Sequence, residues 1–271
     1  MRAIEERFPR PSVMGVVNVT PDSFSDAGVN FRAGDAIATA RRMVGEGAAV
    51  VDVGGESTRP GSAPVSLEDE LGRVRPVLEA VAGELPVSID TAKAGVARRA
   101  VQLGAELVND VTALRGDPHL AETVAECGAY LCLMHMQGEP RTMQASPTYG
   151  DVVSEVAAFL EERLRFAVEA GVPEERICLD PGIGFGKTVE HNFELVRRLD
   201  ELTTLGRPLV VGFSRKRSLG RILGDPHATT GPLSASIAAA VAAYERGATI
   251  LRVHDVREHV EALTAAKAVV G

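Results

Sequence analysis

The stretch "GAAVVDVGGESTRPG", residues 47–61, carries the pattern that decides the fold. A glycine opens it, and glycine is the usual helix terminator because it accepts the left-handed conformation without steric cost. An apolar run follows (48–54), broken only by Asp52 near its end, and then a polar loop with glycines at both ends. The same glycine-to-strand step recurs at Gly104-Ala105, Gly128-Ala129, Gly171-Val172 and Gly247-Ala248. Working outward, strands are predicted at 13–18, 48–54, 86–90, 105–110, 129–135, 176–180, 208–213 and 248–254. Helical periodicity predicts helices at about 33–46, 66–82, 92–103, 118–127, 149–170, 190–202, 231–246 and 255–269.

Eight alternating units without a linker imply one α/β domain over residues 1–271, a closed parallel (β/α)8 barrel rather than an open doubly wound sheet. No G-x-G-x-x-G follows the first strand, which weakens the dinucleotide-fold alternative. Every strand ends in a polar or ligand-competent group: Asn18, Asp52, Asp90, Asn109, His135, Asp180, the "SRK" after strand seven and the "RVH" of strand eight. In a parallel barrel these ends share the rim where active sites sit.

Acidic residues number 37 against 29 basic, a formal charge of −8, which argues against general nucleic-acid or anionic-membrane binding. Three cysteines without C-x-x-C spacing read as free thiols in a reducing compartment. No apolar leader or spanning stretch is present, so a soluble cytoplasmic protein is expected.

The strand period of two puts Cys178 and Asp180 on one face, and Ser88 and Asp90 on another common face. Asp90 or Thr91 alternatively caps the helix that follows, and Asn109-Asp110 alternatively forms an Asx turn. Together, Asp90, Asn109 and Asp180 suit a flat ligand edge rich in N–H donors. Opposite polarity comes from Arg252 and His254, from Ser214, Arg215, Lys216 and Arg217, of which alternate residues are expected to face solvent, and from Thr58 and Arg59. The ligand therefore has two unlike ends, a donor-rich heterocycle and an anion, most naturally a phosphate or diphosphate. Asn18 and the aspartates after it suit a Mg²⁺ that bridges the anion. "DPGIGFGK" (180–187) lacks P-loop spacing; its glycines are read as permitting close approach to a planar ligand, with Phe185 offered to a second aromatic. His135, between Met134 and Met136, is read as structural, with the methionines as an apolar wall.

Taken in order, "MGVVNVTPDSFSD", "DVGGESTRPGS", "SIDT", "NDV", "LMHMQGEPRTMQ", "LDPGIGFGKTVEHN", "GFSRKR" and "RVHDV" resemble the bacterial dihydropteroate synthase family, the sulfonamide target of folate biosynthesis. The resemblance runs from about Val13 to the C-terminus. It implies a pterin-binding TIM barrel, commonly a homodimer, acting on small molecules, that condenses 6-hydroxymethyl-7,8-dihydropterin diphosphate with para-aminobenzoate. Carried onto matching positions, it implies pterin contacts at Asp90, Asn109, Met134, Asp180, Gly212 and Lys216. Para-aminobenzoate is implied at Phe24, Thr58, Arg59, Pro60, Phe185, Ser214 and Lys216. Diphosphate is implied at Asn18, Arg59, Arg252 and His254, with Mg²⁺ at Asn18. Catalysis is assigned to Asn18, Asp26, Arg59, Lys216, Arg252 and His254, so that Arg252 matters far more than Arg217. The segment "NVTPDSFSD" (18–26) is then a mobile lid, with Phe24 over the arylamine and Asp26 near the developing cation. Two alternatives stay open: a pterin-binding methyltransferase domain, which has no need of "STRPG", "SRK" or "RVHD", and a non-catalytic paralogue. The family's extra N-terminal hairpin is in doubt here, and Ser218 stands where a bulkier apolar residue is more usual.

Overall fold

The computed structural model describes residues 2–20, 33–58 and 61–270. Its eight strands are β1 Ser12–Asn18, β2 Val50–Gly54, β3 Val87–Asp90, β4 Leu107–Asp110, β5 Tyr130–Met134, β6 Ile177–Asp180, β7 Leu209–Val211 and β8 Ala248–Val253. They pair in chain order, all parallel, and β8 closes on β1, with Met14 opposite both Val50 and Arg252. The expected barrel is therefore the observed one.

The period of two separates the strand residues into two sets. Outward side chains such as Val17, Val51, Val53, Ile89, Val108, Leu131, Leu133, Leu179 and Leu251 pack with the helices in one large apolar cluster. Inward side chains Met14, Val50, Leu107, Tyr130, Cys132, Cys178, Val210 and Ile250 fill the barrel's lower interior. One pleat higher the inward set turns polar: Asp52, Ser88, Asp90, Asn109, Asp180 and Arg252. This change from apolar to polar along each strand puts the site at the C-terminal rim.

Helices α2 Ala33–Gly45, α3 Leu67–Val81, α4 Ala94–Gln102, α5 Leu120–Cys127, α6 Val152–Glu169, α10 Leu233–Glu245 and α11 Val256–Val270 fall where periodicity predicts them. The glycines that precede the strands, Gly47, Gly104, Gly128, Gly171 and Gly247, all have positive φ, as terminators require. The helix expected over 190–202 is broken at Arg198 into α7 Val189–Arg197 and α8 Leu199–Leu202. Two short helices were not legible in advance. Helix α1, Ile4–Arg7, belongs to an N-terminal segment whose Ile4 and Phe8 are buried in the barrel's lower interior. The Phe8 ring meets Tyr130 edge-on at 5.9 Å, so this segment, rather than a hairpin, packs against the inside of the barrel. Helix α9, Arg217–Ile222, lies inside the connection after β7. All three cysteines are free, two of them buried.

Candidate active site

The floor of the rim is an ion-pair network built from four strands. Arg252 on β8 donates from Nε to Asp52 Oδ2 at 2.7 Å and from Nη2 to Asp90 Oδ2 at 2.8 Å. Asn109 on β4 donates from Nδ2 to the same Asp52 oxygen at 2.9 Å. Asp52 and Asp90 are buried, and so is Asn109. Burial pushes the Asp90 carboxyl up to about 8, with Arg252 pulling the other way and Asp52 adding to the rise. Burial lowers Arg252, but the two carboxylates outweigh it and hold the guanidinium firmly charged. Arg252 Nη1 makes no hydrogen bond among the described residues, and the residue lines the cavity above.

Asp180, at the end of β6, accepts from Gly182 N at 2.7 Å through Oδ1. Burial raises its carboxyl; the Gly182 amide and the cations Lys216, Arg252 and Lys187 restrain the rise. The glycines that follow have left-handed φ of 70° at Gly182, 86° at Gly184 and 61° at Gly186. A Cβ at Gly182 would stand 1.8 Å from His135 O, and one at Gly186 2.3 Å from Gln137 O. Those two glycines therefore make room for the backbone after β5, not for a ligand; only Gly184, beside the Lys216 side chain, faces the cavity. Met134, Met136, Met143 and Val111 form one apolar cluster with Phe185 against it. Lys216 Nζ sits 4.4 Å from the centre of the Phe185 ring.

On the opposite side Ser214 Oγ accepts from the His254 amide and lies 3.2 Å from its Nδ1. Arg215, in a left-handed conformation at φ 55°, turns its guanidinium onto Asp255 in a two-point pair at 3.0 and 2.5 Å. These groups enclose a cavity of about 610 Å³, lined among others by Asn18, Thr58, Asp90, Phe185, Gly212, Ser214, Lys216, Arg252 and His254. A narrower recess beneath it adds Asn109, Met134 and Asp180. One cavity thus joins an acceptor-rich floor to a cationic rim, within the range of small-molecule sites.

The sequence pattern of the family described as "Pterin binding enzyme" matches residues 14–254. A dihydropteroate synthase from Escherichia coli (strain K12) is 48% identical over 263 residues, covering 95% of this chain and 91% of that one. The chain belongs to the dihydropteroate synthase family of pterin-binding enzymes. Among solved structures, a Yersinia pestis dihydropteroate synthase in a sulfonamide drug complex superposes with a TM-score of 0.91 at 44% identity, covering 97% of this chain and 95% of that one. A Xanthomonas albilineans dihydropteroate synthase in complex with 7,8-dihydropteroate gives 0.85 at 44% identity, covering 97% and 95%.

In this pterin-binding enzyme, Phe24, Asp26, Arg59 and Pro60, and with them the lid expected over 18–26, lie wholly or largely outside the described residues. The other expected site residues all line the cavity or its recess. Two further expectations need correction. Arg252 is not simply a cation waiting for an anion, because Asp52 and Asp90 take two of its N–H donors. The basic run does not alternate with solvent: Ser214, Arg215, Lys216 and Arg217 all line the cavity, because the chain turns into α9 there. Arg217 and Arg221, one helical turn apart, line it without an ion pair among the described residues. Ser218 is buried and accepts from Asn192 Nδ2 at 2.9 Å, while Asn192 Oδ1 accepts from Gly184 N at 2.7 Å, so it reaches the glycine loop through one intermediary.

The two bland alternatives divide. Asp110, not Asn109, makes the turn, accepting from Thr112 N and Leu114 N. At the start of the helix after β3 Ala94 N donates to Asp117 Oδ2, and Thr91 Oγ1 accepts from Lys93 N just before it, leaving Asp90 to Arg252. Sequence reasoning missed the role of Asp52, whose only signal was its inward register. It also missed Lys93, which donates to Glu56 and, at 2.6 Å, to fully buried Glu70, tying the loop that carries Thr58 to α3 and α4.

Proposed function

We propose that this chain is a dihydropteroate synthase, condensing 6-hydroxymethyl-7,8-dihydropterin diphosphate with para-aminobenzoate to give 7,8-dihydropteroate and diphosphate. The observation that carries the reading is the single cavity with a carboxylate and amide floor at Asp90, Asn109 and Asp180 and a cationic rim at Lys216, Arg252 and His254. A pterin edge offers the N–H donors that this floor accepts, and a diphosphate meets the rim.

The arylamine lone pair forms the new C–N bond at the pterin methylene. The C–O bond breaks, its electron pair leaves on diphosphate, and the arylamine nitrogen gives one proton to solvent. An arylamine is neutral and nucleophilic at pH 7, so no dedicated base is required. The rate comes from fixed positive charge where the leaving group gathers negative charge, supplied by Arg252 Nη1, His254 and Lys216. Asp180 holds the ring into which the methylene's positive charge spreads, and the methionine cluster with Phe185 keeps water from the carbon. Arg217 supplies a cation toward the benzoate carboxylate.

No group of three His, Cys, Asp or Glu side chains able to hold a metal exists among the described residues. Mg²⁺ needs only one or two protein oxygens when phosphate oxygens and water complete its shell. Asn18, at the end of β1 and on the cavity wall, would hold it, and the ion would neutralise departing diphosphate. No helix among the described residues is long and apolar enough to cross a membrane. We take the enzyme to be a cytoplasmic homodimer.

The test is steady-state release of diphosphate from the two substrates, with Mg²⁺ and with a chelator, in wild type and Asn18→Ala. Turnover that needs Mg²⁺ and falls in Asn18→Ala is expected. A folded wild type without turnover would leave a non-catalytic pterin-binding paralogue.

A further inference from the structure

Lys187 has no place in the reaction as derived, yet it is among the largest fully buried side chains in the molecule, 2% exposed. A buried ammonium is costly unless its donors are spent. Here all three are: Nζ lies 2.8 Å from His135 Nδ1, 3.0 Å from Gly182 O and 3.0 Å from Phe185 O. The three partners belong to two segments, the end of β5 and the glycine loop after β6. Both segments line the recess, Met134 on one and Asp180 and Phe185 on the other.

Three other polar groups of that loop are tied as well. Gly184 O accepts from Gln144 Nε2, Gly184 N donates to Asn192 Oδ1, and Gly186 O accepts from Tyr149 OH. Lys187 binds the loop at two of its carbonyls, on either side of Gly184. Phe185 is thereby held where its ring meets Lys216, and Gly182 where its amide meets Asp180.

We propose that Lys187 is a positioning residue of the ring-binding site: its ammonium, seated on His135, Gly182 and Phe185, fixes the glycine loop so that Asp180 and the Phe185 ring face the two substrates. His135 fits this role as an acceptor, since burial first and then Lys187 and Arg115 push its imidazole down to about 2 and keep it neutral. Burial also brings Lys187 down to about 7, with Asp180 opposing and Lys216 adding to the fall. Neutral Lys187 can still donate to both carbonyls and accept from the other His135 tautomer, so the scaffold survives its titration.

The inference rests on the dihydropteroate synthase reading, and the two fail separately. Turnover by wild type tests the reading. The inference is tested by KM for para-aminobenzoate and for the pterin diphosphate in Lys187→Met, which keeps an unbranched chain one atom shorter and removes every donor. Both KM values should rise, the arylamine's by about 10- to 100-fold, as small misplacements in a site do. Lys187→Gln, which keeps donors for a carbonyl, should lie between. A merely structural lysine would lower thermal stability and the active fraction while leaving KM unchanged, and unchanged KM values in folded Lys187→Met would overturn the proposal. Should Lys187→Met not fold, Lys187→Gln decides by the same criterion. Should wild type not turn over, dissociation constants of the same two compounds, measured by calorimetry, replace KM.

Discussion

Replacing Arg252 by methionine separates two pictures of the rim. If its guanidinium were a solvated cation reserved for diphosphate, Arg252→Met would abolish activity and leave stability nearly unchanged. The structure predicts both losses, because Asp52 and Asp90 are buried and depend on Arg252 for their charge-assisted bonds at 2.7 and 2.8 Å. Removing one partner from a buried ionic network costs about 3–5 kcal/mol. With an unfolding entropy of about 2.1 cal/mol/K per residue, that corresponds to a fall in Tm of about 5–9 °C for a chain of this length. The penalty grows with pH, since Arg252 is what pulls the Asp90 pKa of about 8 downward. Between about 4 and 8 wild type and variant lose stability alike as pH rises, because folded Asp90 keeps a proton that the unfolded chain has released; above about 8 only the variant keeps it, so the extra penalty opens there. Adding Asp52→Asn removes the stranded charge and should recover a third or more of the lost stability without restoring activity, a coupling that a double-mutant cycle reads directly. Calorimetric Tm at pH 6 and 8.5, with turnover alongside, measures all of this. A Tm within 1 °C of wild type, or a double variant no better than the single one, would refute the buried-network account.

Three further outcomes follow. His135 is held neutral, its pKa lowered from 6.5 to about 2, so between those values the folded state binds fewer protons than the unfolded chain and stability is lost as pH falls through 6.5. The slope is about 1.4 kcal/mol per pH unit; Asp90 contributes the opposite slope, so the measurement is the difference between wild type and His135→Gln in urea unfolding at pH 6.5 and 5, and equal slopes would sink it. Gly182→Ala should cost more than about 3 kcal/mol or prevent folding, given a Cβ 1.8 Å from a carbonyl oxygen at φ +70°. Gly72→Ala, in open space within α3, should instead stabilise by about 0.4–1 kcal/mol, and thermal melts that rank the two variants alike would contradict the packing described.

The barrel was legible because its signal is local and repeated. Apolar runs with polar ends recur eight times and glycine terminators before five of them, and each can be read without knowing its neighbours. Register parity likewise placed Asp90, Asn109 and Asp180 inward and on one rim. Helix α9 was hidden because its residues read equally as a charged loop, and only its burial of Ser218 and Leu219 selects the helix. The clamp by Lys187 was hidden for a different reason. Its partners His135, Gly182 and Phe185 come from segments that have no periodic relation to it.

What the amino-acid sequence determined by itself was therefore the architecture, the face and the polarity of the site, since these follow from periodicity and from residue type at strand ends. Which charges are spent was decided only by tertiary structure. Arg252 and Asp52 stand 200 positions apart, and Lys187 and His135 52 apart. Barrel closure brings the first pair within hydrogen-bonding distance and the pairing of β5 with β6 the second; both are removed from water, and burial is what turns a cation into a counter-ion or a clamp.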